Sequence, residues 1–228
     1  MQIFRGFLLS YIRYSDYDAV LHCFTEDHGF KSLFVKGIYN PKSKKKSYLF
    51  PLNELEISVN TFKEDKISTV VRLELLQSFY DDKNLNHNSV LMFSSDFLSK
   101  ILRNENVNKE IYNEIHLFLE KLSHNNPFSH ISLVFNLLRY NGLLPLETPG
   151  HFLDPETGRF NSIQTHQFFD EKISEIWKKF GSKKDNYNFT LSRSERNRFL
   201  QSLMLYYKIH FTDFREPDSL EILRQVFS

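Results

Sequence analysis

The chain carries a single cysteine, Cys23, in 228 residues. A lone thiol excludes an intrachain disulfide and every zinc site built on paired cysteines, and it fits a reducing cytoplasm. Cys23 stands between Leu21 and Phe24 in a strand-like run, the setting of a buried, inert thiol. Glycine is also scarce, at seven residues. None of them completes GxxxxGK[ST], GxGxxG or GxSxG, so the phosphate-cradling loops and the nucleophile elbow are excluded, and HExxH is missing too. No apolar run approaches the ~20 residues that span a bilayer. The N-terminal MQIFRGFLLSYIRYSDYD is broken by Ser10 and followed by Arg13 and Asp16 without a small-residue cleavage site, so a soluble cytoplasmic protein is expected.

Clustered metal ligands are equally hard to find. Nine histidines are scattered, and the nearest pair on one segment, His124 and His130, straddles Pro127, which argues against a histidine metal site. Glu110 with Glu114, and Glu171 with Glu175, stand four apart on expected helices and could hold Mg²⁺. Lys109 and Lys172 beside them make a solvated helix face the better reading. Asp154 and Glu156 ahead of Gly158 resemble the start of a Ca²⁺ loop but lack a third oxygen ligand and a distal Glu, so a plain hairpin turn is expected.

One shortage is local. Between Gly29 and Asn53 there is no Asp or Glu, while six lysines fall there: Lys31, Lys36, Lys42, Lys44, Lys45 and Lys46. Because the whole chain has a formal charge of only +1 and a pI near 7.8, any polyanion binding must come from such a patch. A turn centred on Asn40 and Pro41 places four of these lysines in a loop, with Tyr39 and Tyr48 flanking them as flat aromatic surface. That pairing suits a polyanion with exposed bases. A merely solvated, solubilising turn is the alternative. Arg5, Arg13 and Arg72 are available to extend the basic surface. The loop holds no side chain suited to bidentate base reading, so binding should tolerate any sequence.

With 41% hydrophobic residues, including 23 Phe and 11 Tyr, the chain has ample material for a core. Its length and a change of period predict two domains, 1–80 and 81–228. Strands are expected over Phe4 to Arg13, Ala19 to Thr25, Phe30 to Val35, Tyr48 to Phe62 and Ile67 to Phe79, with turns at Glu26 to Gly29 and Lys63 to Lys66. Five antiparallel strands in so short a stretch fit an OB-fold β-barrel. From Asp81 the period becomes 3.6. Helices are expected over Ser89 to Arg103, over Lys109 to Leu122 and from Pro127 to Asn141, then over Thr165 to Phe180. Ser192 with Glu195, and Asp218 with Glu221, have capping-box spacing ahead of two more. Between them the Pro- and Gly-rich stretch at about 143–163 reads as a small hairpin inserted into an otherwise all-helical C-terminal domain, an α+β chain overall.

In order, SYIRYSDYDAVLHCFTEDHG, SLFVKGIYNPKSKKKSYLFPLNELEI, LLRYNGLLP and YYKIHFTDFREPDSLEILRQ resemble the RecO family of DNA repair and recombination mediators over nearly the whole chain. The resemblance implies an N-terminal OB domain, a helical C-terminal domain, no enzymatic activity and no cofactor. It implies binding of single- and double-stranded DNA, annealing of complementary strands, and action with RecR in loading recombinase onto DNA coated by single-strand DNA-binding protein, whose acidic C-terminal tail some members bind. It also implies a nucleoid-associated location. Lys36, Lys42, Lys44, Lys45 and Lys46 match the family's basic segment, and Tyr39, Arg13 and Arg72 join them as expected DNA contacts. Many members carry two cysteine pairs, a zinc finger, after the position of Pro145. This chain reads LETPGHFLDPETGRF there, which implies a metal-free hairpin held by Phe152 and Phe160. On the helix from Ser192 to His210, Arg193, Arg196 and Arg198 are candidates for an acidic partner peptide or a DNA backbone, or simply form a solvated basic face. Two rival functions remain: a protein-interaction adaptor working through the helical domain, and a divalent-metal nuclease, which the lack of clustered carboxylates disfavours.

Overall fold

In the computed structural model, which describes residues 1–43, 45–61, 67–183 and 185–227, the aromatic and β-branched first third forms five strands. These are β1 (Gln2–Arg13), β2 (Ala19–Thr25), β3 (Gly29–Val35), β4 (Glu54–Val59) and β5 (Ser68–Gln77). They close into a barrel in the order β1-β2-β3-β5-β4. All neighbours run antiparallel except β3 and β5, which pair in parallel through Leu33 with Ser68 and Phe34 with Thr69. Five antiparallel strands were the expectation, but a closed ring with an odd number of strands cannot alternate direction all the way round, so one pair must be parallel. Closure leaves no open edge, and Phe4, Leu8, Leu21, Leu33, Leu55 and Ile57 fill the interior. Cys23 lies among them, fully buried, and burial pushes its thiol up to about 12. It stays a neutral, inert packing residue.

β1 does more than line the barrel. Phe4 and Leu8 point into the interior, while the alternate residue Phe7 packs against Tyr112 and His116 at ring separations of 4.9 and 4.7 Å. Both faces of the strand are therefore covered, which is why FLL is a continuous apolar run rather than an alternating one. A bulge in the β1–β2 register at Leu9 frees its carbonyl, and Ser95 Oγ donates to that carbonyl at 2.6 Å. Ser95 belongs to α1 (Leu85–Ile101), so this bond seats the first helix on the barrel.

The remaining helices among the described residues are α2 (Lys109–Ser123), α3 (Ser129–Tyr140), α4 (Glu171–Ser182), α5 (Arg193–His210) and α6 (Ser219–Val226). The capping box at Ser192 and Glu195 is present in both halves. Two expected starts differ. α4 begins six residues after Thr165, because the Asp170 carboxylate accepts from Ile173 N–H and caps the helix there. α6 has no side-chain cap from Asp218; instead Ser219 N–H and Oγ donate to Asp96 of α1 at 3.2 and 2.9 Å, and Lys100 bridges Asp96 and Asp218.

The chain forms two compact units, residues 1–119 with 217–228, and 120–216. The first joins the barrel to α1, most of α2 and the returning α6, whose Leu220 and Leu223 are buried. In the second, Trp177 packs among Phe135, Phe169, Phe199 and Tyr206, and its indole N–H donates to Ser202 Oγ at 3.0 Å. This unit also contains the hairpin of β6 (Phe152–Asp154) and β7 (Arg159–Asn161). Phe160 is buried as expected, but its cross-strand partner is the fully buried Leu153 and not the half-buried Phe152, since residues directly opposite in the register share a face. The Asp154 carboxylate is occupied by its own turn, accepting from Glu156 N–H and Thr157 Oγ1.

Two predictions follow from packing in the first unit. Gly29 has φ +65°, and a Cβ there would lie 2.5 Å from the backbone of Glu105 and Asn106, beside the bond from Phe30 N–H to Glu105 O. Gly29→Ala should cost more than about 2 kcal/mol in denaturant unfolding, from the backbone conformation and the clash together. Glu54, buried on β4, accepts from Tyr112 OH at 3.2 Å and lies 3.4 Å from His116 Nε2. The His116 hydrogen bond holds its carboxyl below the ordinary value against the opposing effect of burial. A depressed folded pKa contributes stability above the unfolded value near ~4.3 and loses it as pH falls through the folded one. Glu54→Gln should therefore lose stability near neutral pH and show a flatter decline than the parent on acidification below about pH 4, measured by urea unfolding.

Candidate nucleic-acid interface

Residues 36–53 connect β3 to β4, and short side-chain bonds give this segment a defined path. Gly37, at φ +66°, turns the chain and donates its N–H to the Asp18 carboxylate at 2.8 Å. Asn40 Oδ1 accepts from Lys42 N–H at 3.2 Å, and Ser43 Oγ accepts from Lys45 N–H at the same distance. That second bond opens a 3-10 helix, Lys45–Leu49, where the sequence pattern predicts a strand from Tyr48. Leu52, at φ 57°, then redirects the chain, and the Asn53 amide donates to Ser47 O at 2.9 Å, so β4 begins only at Glu54. The helix buries Leu49 and leaves Lys46 exposed.

Lys36, Lys42 and Lys46 are exposed and Lys45 is half-buried. None of the four forms an ion pair with a described carboxylate. Lys44, and the Lys63 to Lys66 turn with Phe62, lie outside the described residues. Arg13, at the end of β1, places its guanidinium 5.2 Å from the Tyr39 ring centroid and donates to the carbonyls of Ser15 and Asp16. Tyr39 and Tyr48 are partly buried against the barrel core rather than standing free at the loop tip. Burial, with the Tyr11 phenol beside it, pushes the Tyr39 hydroxyl above its ordinary value despite Arg13. It therefore remains a neutral hydrogen-bond donor at physiological pH.

Arg72 is separate from this group. It sits on β5 opposite Ser58, and its guanidinium donates to Glu74 at 3.0 Å with Glu56 nearby, so its charge is largely spent on the sheet surface. The three arginines of α5 also divide. Arg196 stacks 3.5 Å over the Phe128 ring and donates to Leu191 O, and burial lowers its pKa from the ordinary value. Arg198 is paired with the Asp170 carboxylate. Of the three, only Arg193 is exposed.

A feature that the lysine count does not announce adjoins the loop. A groove of about 460 Å³ is walled by Tyr11 of β1, by Tyr39, Lys46 and Phe50 of the loop, and by Leu91 and Met92 of α1. Tyr80, from the linker between β5 and α1, stacks on Phe50 with centroids 4.0 Å apart and planes 6° apart. This plate is held from α1: His87 Nε2 donates to Phe79 O at 2.7 Å, and the Asn88 amide both accepts from Asp81 N–H and donates to Asp81 O. The lining includes one cation, Lys46, and no carboxylate. Tyr11, Phe50, Tyr80 and Met92 are ordinary members of separate apolar runs in sequence, and the only signal there is given by the aromatics Tyr39 and Phe50 flanking the basic loop and Tyr11 near the end of β1.

Residues 1–79 match the family profile described as Recombination protein O N terminal. Over 98% of its length the chain is 28% identical to DNA repair protein RecO of Flavobacterium psychrophilum, covering 98% of that protein. The chain is therefore similar to RecO proteins over nearly its whole length. It is likewise 29% identical to DNA repair protein RecO of Phocaeicola vulgatus and 26% identical to that of Flavobacterium johnsoniae, each over 98% of both chains. The profile match spans the barrel, its basic loop and the approach to Tyr80. Since the RecO relatives align from end to end, the similarity extends through the helical half. Among the described residues no helix is long and apolar enough to cross a membrane, and no group of three or more His, Cys, Asp or Glu side chains is placed to hold a metal ion.

Proposed function

We propose that this protein, like the RecO proteins it resembles, acts in DNA repair and recombination by binding DNA through the β3–β4 loop of its barrel. The observation that carries this reading is the row of lysines, Lys36, Lys42, Lys45 and Lys46, presented on a hydrogen-bonded loop without a described acidic partner. Lys44 is included from its place in the same sequence run. Such a surface neutralises phosphates without reading bases, so both single-stranded and duplex DNA should bind with little sequence preference. Bringing two strands to one basic surface lowers their mutual repulsion and favours annealing. Arg13, held over Tyr39 and paired with Asp16 at 3.8 Å, and Arg72, compensated by Glu74 and Glu56, each add little to the surface.

In this proposal residues 1–80 form the DNA-binding domain and residues 81–228, with their hairpin at about 143–163, serve partner proteins without a cofactor or an enzymatic step. RecR and the acidic tail of single-strand DNA-binding protein are the expected partners, which together would place recombinase loading in the cytoplasm at the nucleoid. Arg193 is the preferred tail contact on α5. Arg196 and Arg198 already have intramolecular roles against Phe128 and Asp170, so replacing either should disturb the fold of that helix before it disturbs binding.

Replacing Lys42, Lys44, Lys45 and Lys46 together with Glu should abolish measurable binding of single-stranded DNA and annealing while leaving the circular dichroism spectrum and unfolding midpoint near the parent's. If about four lysines contact phosphates of a single strand, the parent's log affinity should fall with log salt at a slope near about −3. Retained affinity and annealing in the folded variant would remove the loop from the DNA site and favour an adaptor acting through the helical domain.

A further inference from the structure

Neutralising phosphates does not account for the aromatic groove beside the loop. Its walls are unusual for a purely solvated surface: Tyr80 and Tyr11 are 40% and 44% exposed, Met92 is 45% exposed, and Tyr80 is stacked face to face on Phe50, which fixes the orientation of its ring. A volume of about 460 Å³ lies in the range of small-ligand pockets, ~300–1,000 Å³. It is large enough for one or two flat heterocycles and too small for a long track. Charge selects the occupant. Lys46 stands in the lining, Arg13 covers the Tyr39 ring, and no carboxylate lines the groove, so a planar apolar group attached to an anionic backbone is complementary to it.

We infer that the groove accepts one or two unstacked nucleobases from a strand whose phosphates lie on the lysine loop, and so distinguishes single-stranded from duplex DNA. The inference rests on the proposed DNA role of that loop. Aromatic plates hold bases by stacking with little regard to sequence, because every base has a π-face. In a duplex the same faces are occupied by neighbouring base pairs and must be unstacked before they can enter. Phosphate contacts would thus be shared by substrate and product, whereas the base contact belongs to the single strand alone. Once pairing draws the captured base back into a stack, the duplex is held by phosphates only and leaves more readily. The groove is rigid enough for this selection because His87 and Asn88 clamp the backbone on either side of Tyr80.

The test compares the full-length protein with Tyr80→Ala and Tyr11→Ala, two partly exposed sites, after unfolding midpoints confirm that each variant is folded. Affinities are measured by fluorescence anisotropy for a single-stranded oligonucleotide, an abasic oligonucleotide of equal length and the corresponding duplex. The parent should prefer the single strand over the abasic strand by roughly ten- to a hundredfold, the scale of stacking lost per base. Each variant should lose most of that preference with its duplex and abasic affinities unchanged. A 2-aminopurine in the strand should change its emission on binding to the parent and much less with the variants. Equal binding of single and abasic strands by the parent would overturn the groove's role while leaving the lysine loop's DNA role standing. Failure of the parent to bind any of the three would overturn both. A third arm uses an acidic peptide ending in an aromatic residue: peptide binding that both variants lose, with base preference intact, would assign the groove to protein and overturn the inference.

Discussion

The middle of β1, Gly6 to Leu9, is buried on both faces, and the arrangement of the first unit depends on it. Phe4 and Leu8 belong to the barrel interior while Phe7 is covered by Tyr112 and His116. The bulge at Leu9 supplies a carbonyl for Ser95, and through that bond α1 is fixed beside the strand. Because Tyr11 follows the bulge on β1, and because Asn88, Leu91 and Met92 are on α1, this one seam determines the width of the groove. The lysine loop is attached to the same seam, since Leu52 N–H donates to Leu8 O and Leu8 N–H to Asn53 O. A strand that was solvated on one face could not organise helix, loop and groove together.

Much of this was readable from residue pattern. The continuous apolar run over Ala19 to Thr25, buried almost throughout, and the period of 3.6 over Lys109 to Leu122 reflect burial that is local and regular, and both elements lie where the pattern puts them. The acid-free lysine run was equally plain, because charge segregation needs no tertiary information. What escaped were features that depend on several contacts at once. Tyr48 and Phe50 have strand propensity, yet the Ser43 cap, Leu52 and the Asn53 amide turn the segment into a 3-10 helix and a corner. Likewise Asp218 has capping spacing, but Asp96 on α1 offers Ser219 a better acceptor. The aromatic groove was invisible for the same reason: its walls come from four separate stretches.

Charge and aromatic surface make different contributions to the proposed interface. Exposed lysines act at range and are screened by salt, so they attract any nucleic acid without distinguishing its form. Rings act only in contact and reward bases that are free of their stack. In the proposed interface the lysines account for attraction and the rings for a preference for the strand that still has a partner to find. Arg72, Arg196 and Arg198 illustrate the complementary point that a cation in the sequence is not a cation available to a ligand, because each is already engaged with a carboxylate, a ring or a carbonyl.

The most direct test of where DNA sits is a lysine-reactivity footprint of the full-length protein, free and saturated with single-stranded DNA, read by mass spectrometry. Strong protection of Lys36, Lys42, Lys45 and Lys46 is predicted, with Lys172, Lys178 and Lys179 of α4 unchanged. Unaltered reactivity across the β3–β4 loop under saturating DNA would contradict the account.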